Sequence, residues 1–252
     1  MDKPVPTIFD RRKAAAKWAR SQTRQARGGA TDFLAEALAE DILDRLDFIR
    51  MQPETALFVG DLTERLPLTF HERGTQVGLG LLGEFDEEQP KPEDAPQFDL
   101  IVHLLGLGHV NDLPGALIHA RNALAENGLF IAAFPGAGSL PALRRIALAA
   151  DGDRAAPRMH PLIDNRAAAG LLQRAGFRKQ VVDSYQLDLR YGELSTLVSD
   201  LRDHGLTRAL AMPAPPWTRA HLARAEAEFD AMRDDEGKVP EVIEILVMSG
   251  WR

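Results

Sequence analysis

A short apolar strand that runs into a turn with a single glycine constrains this chain most. Thr55–Val59 is apolar enough for a strand covered on both faces, and Gly60-Asp61-Leu62-Thr63-Glu64-Arg65-Leu66 supplies a turn and a helix start. A nucleotide-binding α/β domain places its first strand, glycine-rich turn and helix in this order. Glycines serve such turns because the backbone takes left-handed dihedrals and a ligand comes close. Here Gly60 stands alone, and Leu62 and Glu64 add bulk and negative charge where a bare backbone is expected. The stretch predicts the fold of a cofactor-binding domain without its usual turn.

The flanking pattern extends that reading. Residues 10–27 read as a helix closed by Gly28-Gly29, and 32–49 as a second, capped by Thr31 or Asp32 and broken by Gln52-Pro53. Gln76–Leu82, Phe98–Leu105, Gly128–Phe134, Phe177–Leu189 and Val242–Met248 read as strands. Helices are predicted over Leu113–Leu124, 139–150, Asp164–Ala175, Glu193–His204 and Arg219–Arg233. Strands that alternate with helices predict a doubly wound, mostly parallel α/β sheet. Residues 1–50 form a helical N-terminal extension in this reading, and 51–252 the α/β domain. Segments near 139–164 and 193–235 are expected to cap the strand ends.

Composition removes several classes of function. The 252 residues contain no cysteine, which excludes disulfides, thiolate metal sites and a cysteine nucleophile. That suits a reducing compartment, and a cytoplasmic protein is expected. A net charge of −7 argues against nucleic acid as a partner. No apolar run reaches the ~18 residues of a membrane span, and the N-terminus lacks the apolar core of a secretory signal. Residues 1–30 carry eight Lys/Arg against Asp2 and Asp10. The arm reads as a solvated helix face, as a surface for an acidic partner or membrane, or as a transit peptide, which Asp2 and Asp10 argue against. Residues 84–99 hold seven Asp/Glu against one Lys, with three prolines, and predict a solvated acidic loop.

Several ordered segments carry a family resemblance. They are Ile8-Phe9-Asp10-Arg11, Val110-Asn111-Asp112-Leu113-Pro114, Gly136-Ala137-Gly138-Ser139-Leu140 with Leu143-Arg144, Leu171–Phe177, and Gly237–Pro240 through Ser249-Gly250-Trp251. With the late apolar strand, the chain resembles the class I S-adenosylmethionine-dependent methyltransferases. More narrowly it is similar to a methyltransferase-like family of respiratory complex I assembly factors, whose mitochondrial member is described as a protein arginine hydroxylase. The departures fall at the cofactor site. The family's first turn, Asp-Leu-Gly-Cys-Gly-x-Gly, is Phe58-Val59-Gly60-Asp61-Leu62-Thr63-Glu64 here. The family's acidic residue after the second strand has no counterpart before Glu84, and its His-Trp is Gly108-His109.

The resemblance implies S-adenosylmethionine as cofactor, and places Gly60, Gly80, Leu105 and His109 around it. The residues weaken that expectation. A carboxylate at ~4 Å from the cofactor's own carboxylate costs on the order of 1–4 kcal/mol. Each lost charged hydrogen bond to the ribose costs about 1.5–3 kcal/mol. Together these predict binding reduced by several powers of ten.

The other candidates have bland readings beside the functional ones. His103 is expected to be a core histidine, and His109 a loop or pocket residue; with His119 they follow no metal-ligand spacing, so no metal is expected. Asn111 and Asp112 read as helix caps. Gly136-Ala137-Gly138 is a tight turn or an anion cradle. Ser139 has no base arrangement. Trp217 is a lid or core residue, and Tyr185 and Tyr191 are exposed strand positions or cleft walls. No residue stands out as catalytic. Three functions follow: a non-catalytic binding or assembly factor with a respiratory-complex protein partner, an active methyltransferase, or, by resemblance, an arginine hydroxylase.

Overall fold

The structure is a computed structural model that describes residues 6–92, 95 and 97–252. Asp2 and Lys3 of the basic arm, and Glu93, Asp94 and Pro96 of the acidic loop, lie outside the described residues. Six strands form one sheet: β1 (Thr55–Val59), β2 (Gln76–Gly80), β3 (Phe98–Leu104), β4 (Leu124–Pro135), β5 (Arg178–Tyr191) and β6 (Val239–Trp251). Their spatial order is β2-β1-β3-β4-β6-β5. The first four are parallel, while β6 runs antiparallel to both β4 and β5. The sheet is thus mostly parallel and doubly wound, as the alternating pattern predicted.

Helix α1 spans Arg11–Arg27 and α2 spans Phe33–Phe48. Helix α3 (Arg65–Glu72) connects β1 to β2, and α4 (Leu113–Ala123) connects β3 to β4. The chain leaves β1 toward one edge of the sheet and later leaves β3 toward the other. Right-handed crossovers therefore put α3 and α4 on opposite faces. The strand order reverses between β1 and β3, and ligands of such sheets bind in the crevice beyond the strand ends there.

Helices α5 (Pro141–Asp151), α6 (Asn165–Ala175), α7 (Leu194–Asp203) and α8 (Arg219–Ala231) complete the set. Gly176 closes α6 in the left-handed conformation, φ 81°, as its C-terminal glycine predicts. The main core surrounds Phe58, Phe70, Phe130 and Phe134. A second cluster joins Ile146 of α5, Leu197 and Leu201 of α7, and Ala225 and Phe229 of α8 with Tyr191 and Val239. Helices α5, α7 and α8 therefore share an apolar core of their own. Tyr191 belongs to it, which corrects the expectation of an exposed strand position. Trp217 packs against the same cluster and donates through Nε1 to Asp151 Oδ1 at 3.3 Å.

Two segments of opposite charge meet each other. Arg11 of α1 pairs with Asp86 at 2.5 Å and with Glu88 at 3.7 Å. Glu87 reaches His103 Nε2 at 3.2 Å, and Glu88 accepts the Asn111 and Asp112 amides at 2.5 and 2.9 Å. The acidic loop is thus not simply solvated: residues 86–88 are drawn down onto the strand ends by cations and amides. At its other end α1 is tied to α7, where Arg24 pairs with the buried Asp203. Part of the basic arm's charge is neutralised within the molecule.

Asp203 gives this tie a pH signature. Burial works against its charged form, but Arg24 and the Thr31 amide outweigh it, and its pKa is held below the ordinary 3.8. A carboxyl with a depressed folded pKa contributes stability above its unfolded value and loses it as pH falls through the folded one. Asp203→Asn is expected to flatten the loss of stability below about pH 4, read from urea unfolding between pH 3 and 7. An unchanged acid limb would place the acid-sensitive group elsewhere.

Candidate functional site

The four residues expected around a cofactor fall into two places. Gly60 and Gly80 line a polar cleft of about 550 Å³ beyond β1 and β2. Leu105 and His109 line an apolar cavity of about 170 Å³ beyond β3 and β4. The two share no lining residue.

Gly60 has φ +80°, a conformation that favours glycine. A Cβ there would lie 2.3 Å from the Leu104 carbonyl oxygen and 2.9 Å from Leu82 Cδ2. The close approach that demands a glycine is made by the protein's own strand and by Leu82, which is buried. Gly80 is crowded likewise by Val59 and Phe85, and Gly106 by His103, Leu82 and Glu87. Leu82, Phe85 and Glu87 thus pack against the glycines at the ends of β1, β2 and β3.

Some amides of the first turn and the helix start are also engaged. Asp61 Oδ1 accepts the Thr63 amide at 2.9 Å and its hydroxyl at 2.7 Å, and Asp61 Oδ2 accepts the Leu66 amide at 2.8 Å. Sequence reasoning singled out Glu64 as the repelling carboxylate. Glu64 is exposed, at φ 58°, and makes no capping bond. The carboxylate that occupies the helix N-terminus is Asp61. Its position directly after Gly60, two residues before Thr63, is an Asx-turn signal that could have found it. The cleft wall also includes Asp32, Glu36 and Glu64, and no Lys or Arg.

Other turns show the same self-capping. Gly138 donates to Glu244 Oε2 at 2.6 Å, so Gly136-Ala137-Gly138 cradles an anion that belongs to the chain itself. Glu241 accepts the Ala142 and Leu143 amides at the start of α5. Ser139 Oγ donates to the Glu244 carbonyl at 3.0 Å and accepts its amide at 3.1 Å, a structural role. Asp112 caps α4 through the Gly115 amide, as expected. Asn111 does not: its Oδ1 accepts the Ile8 and Phe9 amides at 2.7 and 2.8 Å, and its Nδ2 donates to the Phe9 carbonyl. It clips the N-terminal segment to the sheet.

His109 sits beneath that clip, against Phe9, Trp18 and His160, with ring centroids 5.6, 5.2 and 4.6 Å away. Burial, then the neighbouring His160, lowers its pKa to about 3. His160 is lowered to about 4 by burial and by Arg208 and Lys17. Both rings are neutral at physiological pH. His103 is a buried core histidine, with Nε2 at 3.2 Å from Glu87 but Nδ1 without a partner. Tyr185 is half-buried, and its hydroxyl finds no partner. Among the described residues, no three His, Cys, Asp or Glu side chains converge as a metal-ligand group. No helix among them is long and apolar enough to cross a membrane.

The sheet order, the switch point between β1 and β3 and the cleft beyond it define a Rossmann-like protein of the methyltransferase type. The chain belongs to the methyltransferase-domain family, whose model matches residues 35–182. It is similar to the mitochondrial arginine-hydroxylase NDUFAF5 of Homo sapiens, at 26% identity over 97% of this chain and 77% of that protein. Malonyl-[acyl-carrier protein] O-methyltransferase of Xylella fastidiosa is 30% identical over 61% of this chain and 51% of its own length. A crystal structure of a Bacillus halodurans protein assigned to the methyltransferases matches with a TM-score of 0.50. It covers 83% of this chain and 97% of that one at 13% identity, a likeness of fold alone.

Proposed function

We propose that this chain is a methyltransferase-fold protein that works by binding, as an assembly factor for a protein partner, and not by methyl transfer. The observation that carries the reading is Asp61. Its carboxylate takes the first-turn amides of Thr63 and Leu66, which an anionic cofactor group would otherwise use. Leu82 against Gly60 and the carboxylates Asp32 and Glu64 in the cleft wall support the same reading, while Glu36 there is paired with Arg65 at 3.3 Å. Space is not what the cleft lacks; its carboxylates face the place where a cofactor's own carboxylate would sit, and Asp61 already holds two of the amides there. The residues present do not fit S-adenosylmethionine.

The segments that resemble the complex I assembly factors support a respiratory-complex subunit as the partner, and the cysteine-free composition is compatible with a reducing compartment such as the cytoplasm. A second reading, active methyl transfer, draws on the open cleft beside Gly60. Calorimetric titration with S-adenosylmethionine separates the two. No saturable heat is expected, with Kd weaker than about 1 mM. Saturation in the micromolar range would overturn the non-catalytic reading. Affinity capture from the native host then tests the partner, and recovery of no respiratory-complex subunit counts against the assembly role.

A further inference from the structure

The apolar cavity beyond β3 and β4 has no role in the reading above. Leu105, Pro135, Leu140, Leu143, Leu162 and Val198 give it an apolar wall, and Met159, His160, Leu206 and Thr207 at its rim are half-buried. Its volume of about 170 Å³ is ample for a six-membered ring, since apolar cavities of about 150 Å³ accept benzene.

The charge at this cavity is one-sided. Arg158 is paired with the buried Asp151 at 2.8 Å, so that cation is neutralised. Arg208 is different. It donates to the main-chain carbonyls of Pro157, at 2.7 Å, and Met212. No carboxylate of the described residues lies within ion-pair reach of it. Lys17, half-buried nearby, likewise has no carboxylate partner, and both cations have lowered pKa values, by burial first and then by neighbouring cations. The two carbonyls satisfy part of the Arg208 guanidinium but leave its charge without a counter-charge. His109 and His160 add no negative charge.

We propose that this cavity binds a small monocarboxylate with an apolar ring or branched body, its carboxylate paired with Arg208. The ring or branch fills the apolar wall, and the guanidinium gains the anion it lacks. A cationic group is rejected at the same place by Arg208 and Lys17. The cavity is separate from the cleft at Gly60, so this inference stands or falls independently of the S-adenosylmethionine titration.

Benzoate, benzyl alcohol and benzamidine are the probes, read by thermal shift and calorimetry on the full chain. Benzoate is expected to raise Tm with concentration, benzyl alcohol to bind at least about tenfold more weakly, and benzamidine to give no shift. Val198→Phe should fill the cavity and abolish the benzoate response without touching Arg208. Arg208→Met should lower benzoate affinity at least about tenfold and spare benzyl alcohol. Silence with benzoate, an undiminished response in Val198→Phe, or benzamidine binding as well as benzoate would each overturn the assignment.

Discussion

Trp18→Ala is expected to lower the free energy of unfolding by about 3–5 kcal/mol, the usual cost of emptying a large aromatic site in a core. Trp18 is 2% exposed and is the one large apolar side chain that α1 buries, beside Ala14 and Ser21. Its ring lies edge-on to His109 and fills the space above Gly205, where a Cβ would come within 2.1 Å of it. The outward-facing ion pairs of α1 contribute at most about 1 kcal/mol each and cannot compensate. Truncation should therefore loosen α1 before the sheet, and amide exchange should rise first along residues 11–27. Urea unfolding measures the loss. A cost under about 1 kcal/mol would mean that α1 is held by something other than Trp18.

Gly60→Ala is the second large effect, at about 2–4 kcal/mol. Two costs combine there. The residue sits at φ +80°, and its Cβ would press on the Leu104 carbonyl, which cannot yield without disturbing the end of β3. Gly170 within α6 is the control. A Cβ there meets nothing within 4 Å, so Gly170→Ala should be neutral or stabilise by up to about 1 kcal/mol. Thermal unfolding of both variants, without any ligand, checks the pair. If Gly60→Ala melted like the wild type, the glycine would not be a packing requirement, and a ligand would be the better reason for it.

Gly60 also shows why a motif residue can mislead. The sequence places a lone glycine after the first strand, and the resemblance reads it as the surviving residue of a cofactor turn. The structure gives the same glycine an intramolecular reason: a neighbouring strand end and Leu82. The ordered family segments behave alike. Ile8–Arg11 and the Val110–Pro114 stretch looked like separate signals in the sequence. In the fold they touch, through Asn111 and the Ile8 and Phe9 amides, and their shared task is to fasten the N-terminal segment.

The elements themselves were legible in the chain because their causes are local. Apolar runs set β1 and β3, Asp112 caps the helix that follows it, and Gly176 ends α6. Each such signal acts over a few residues, where side-chain period and backbone preference decide the outcome. Only the tertiary structure decided which charges and cavities face one another. Asp86 and Glu88 meet Arg11, and Glu244 meets Gly138, across separations of tens of residues or more. Arg208 comes to an apolar wall built from distant segments. A charge gains or loses most through what surrounds it after burial, and that surrounding is fixed by packing, not by sequence neighbours.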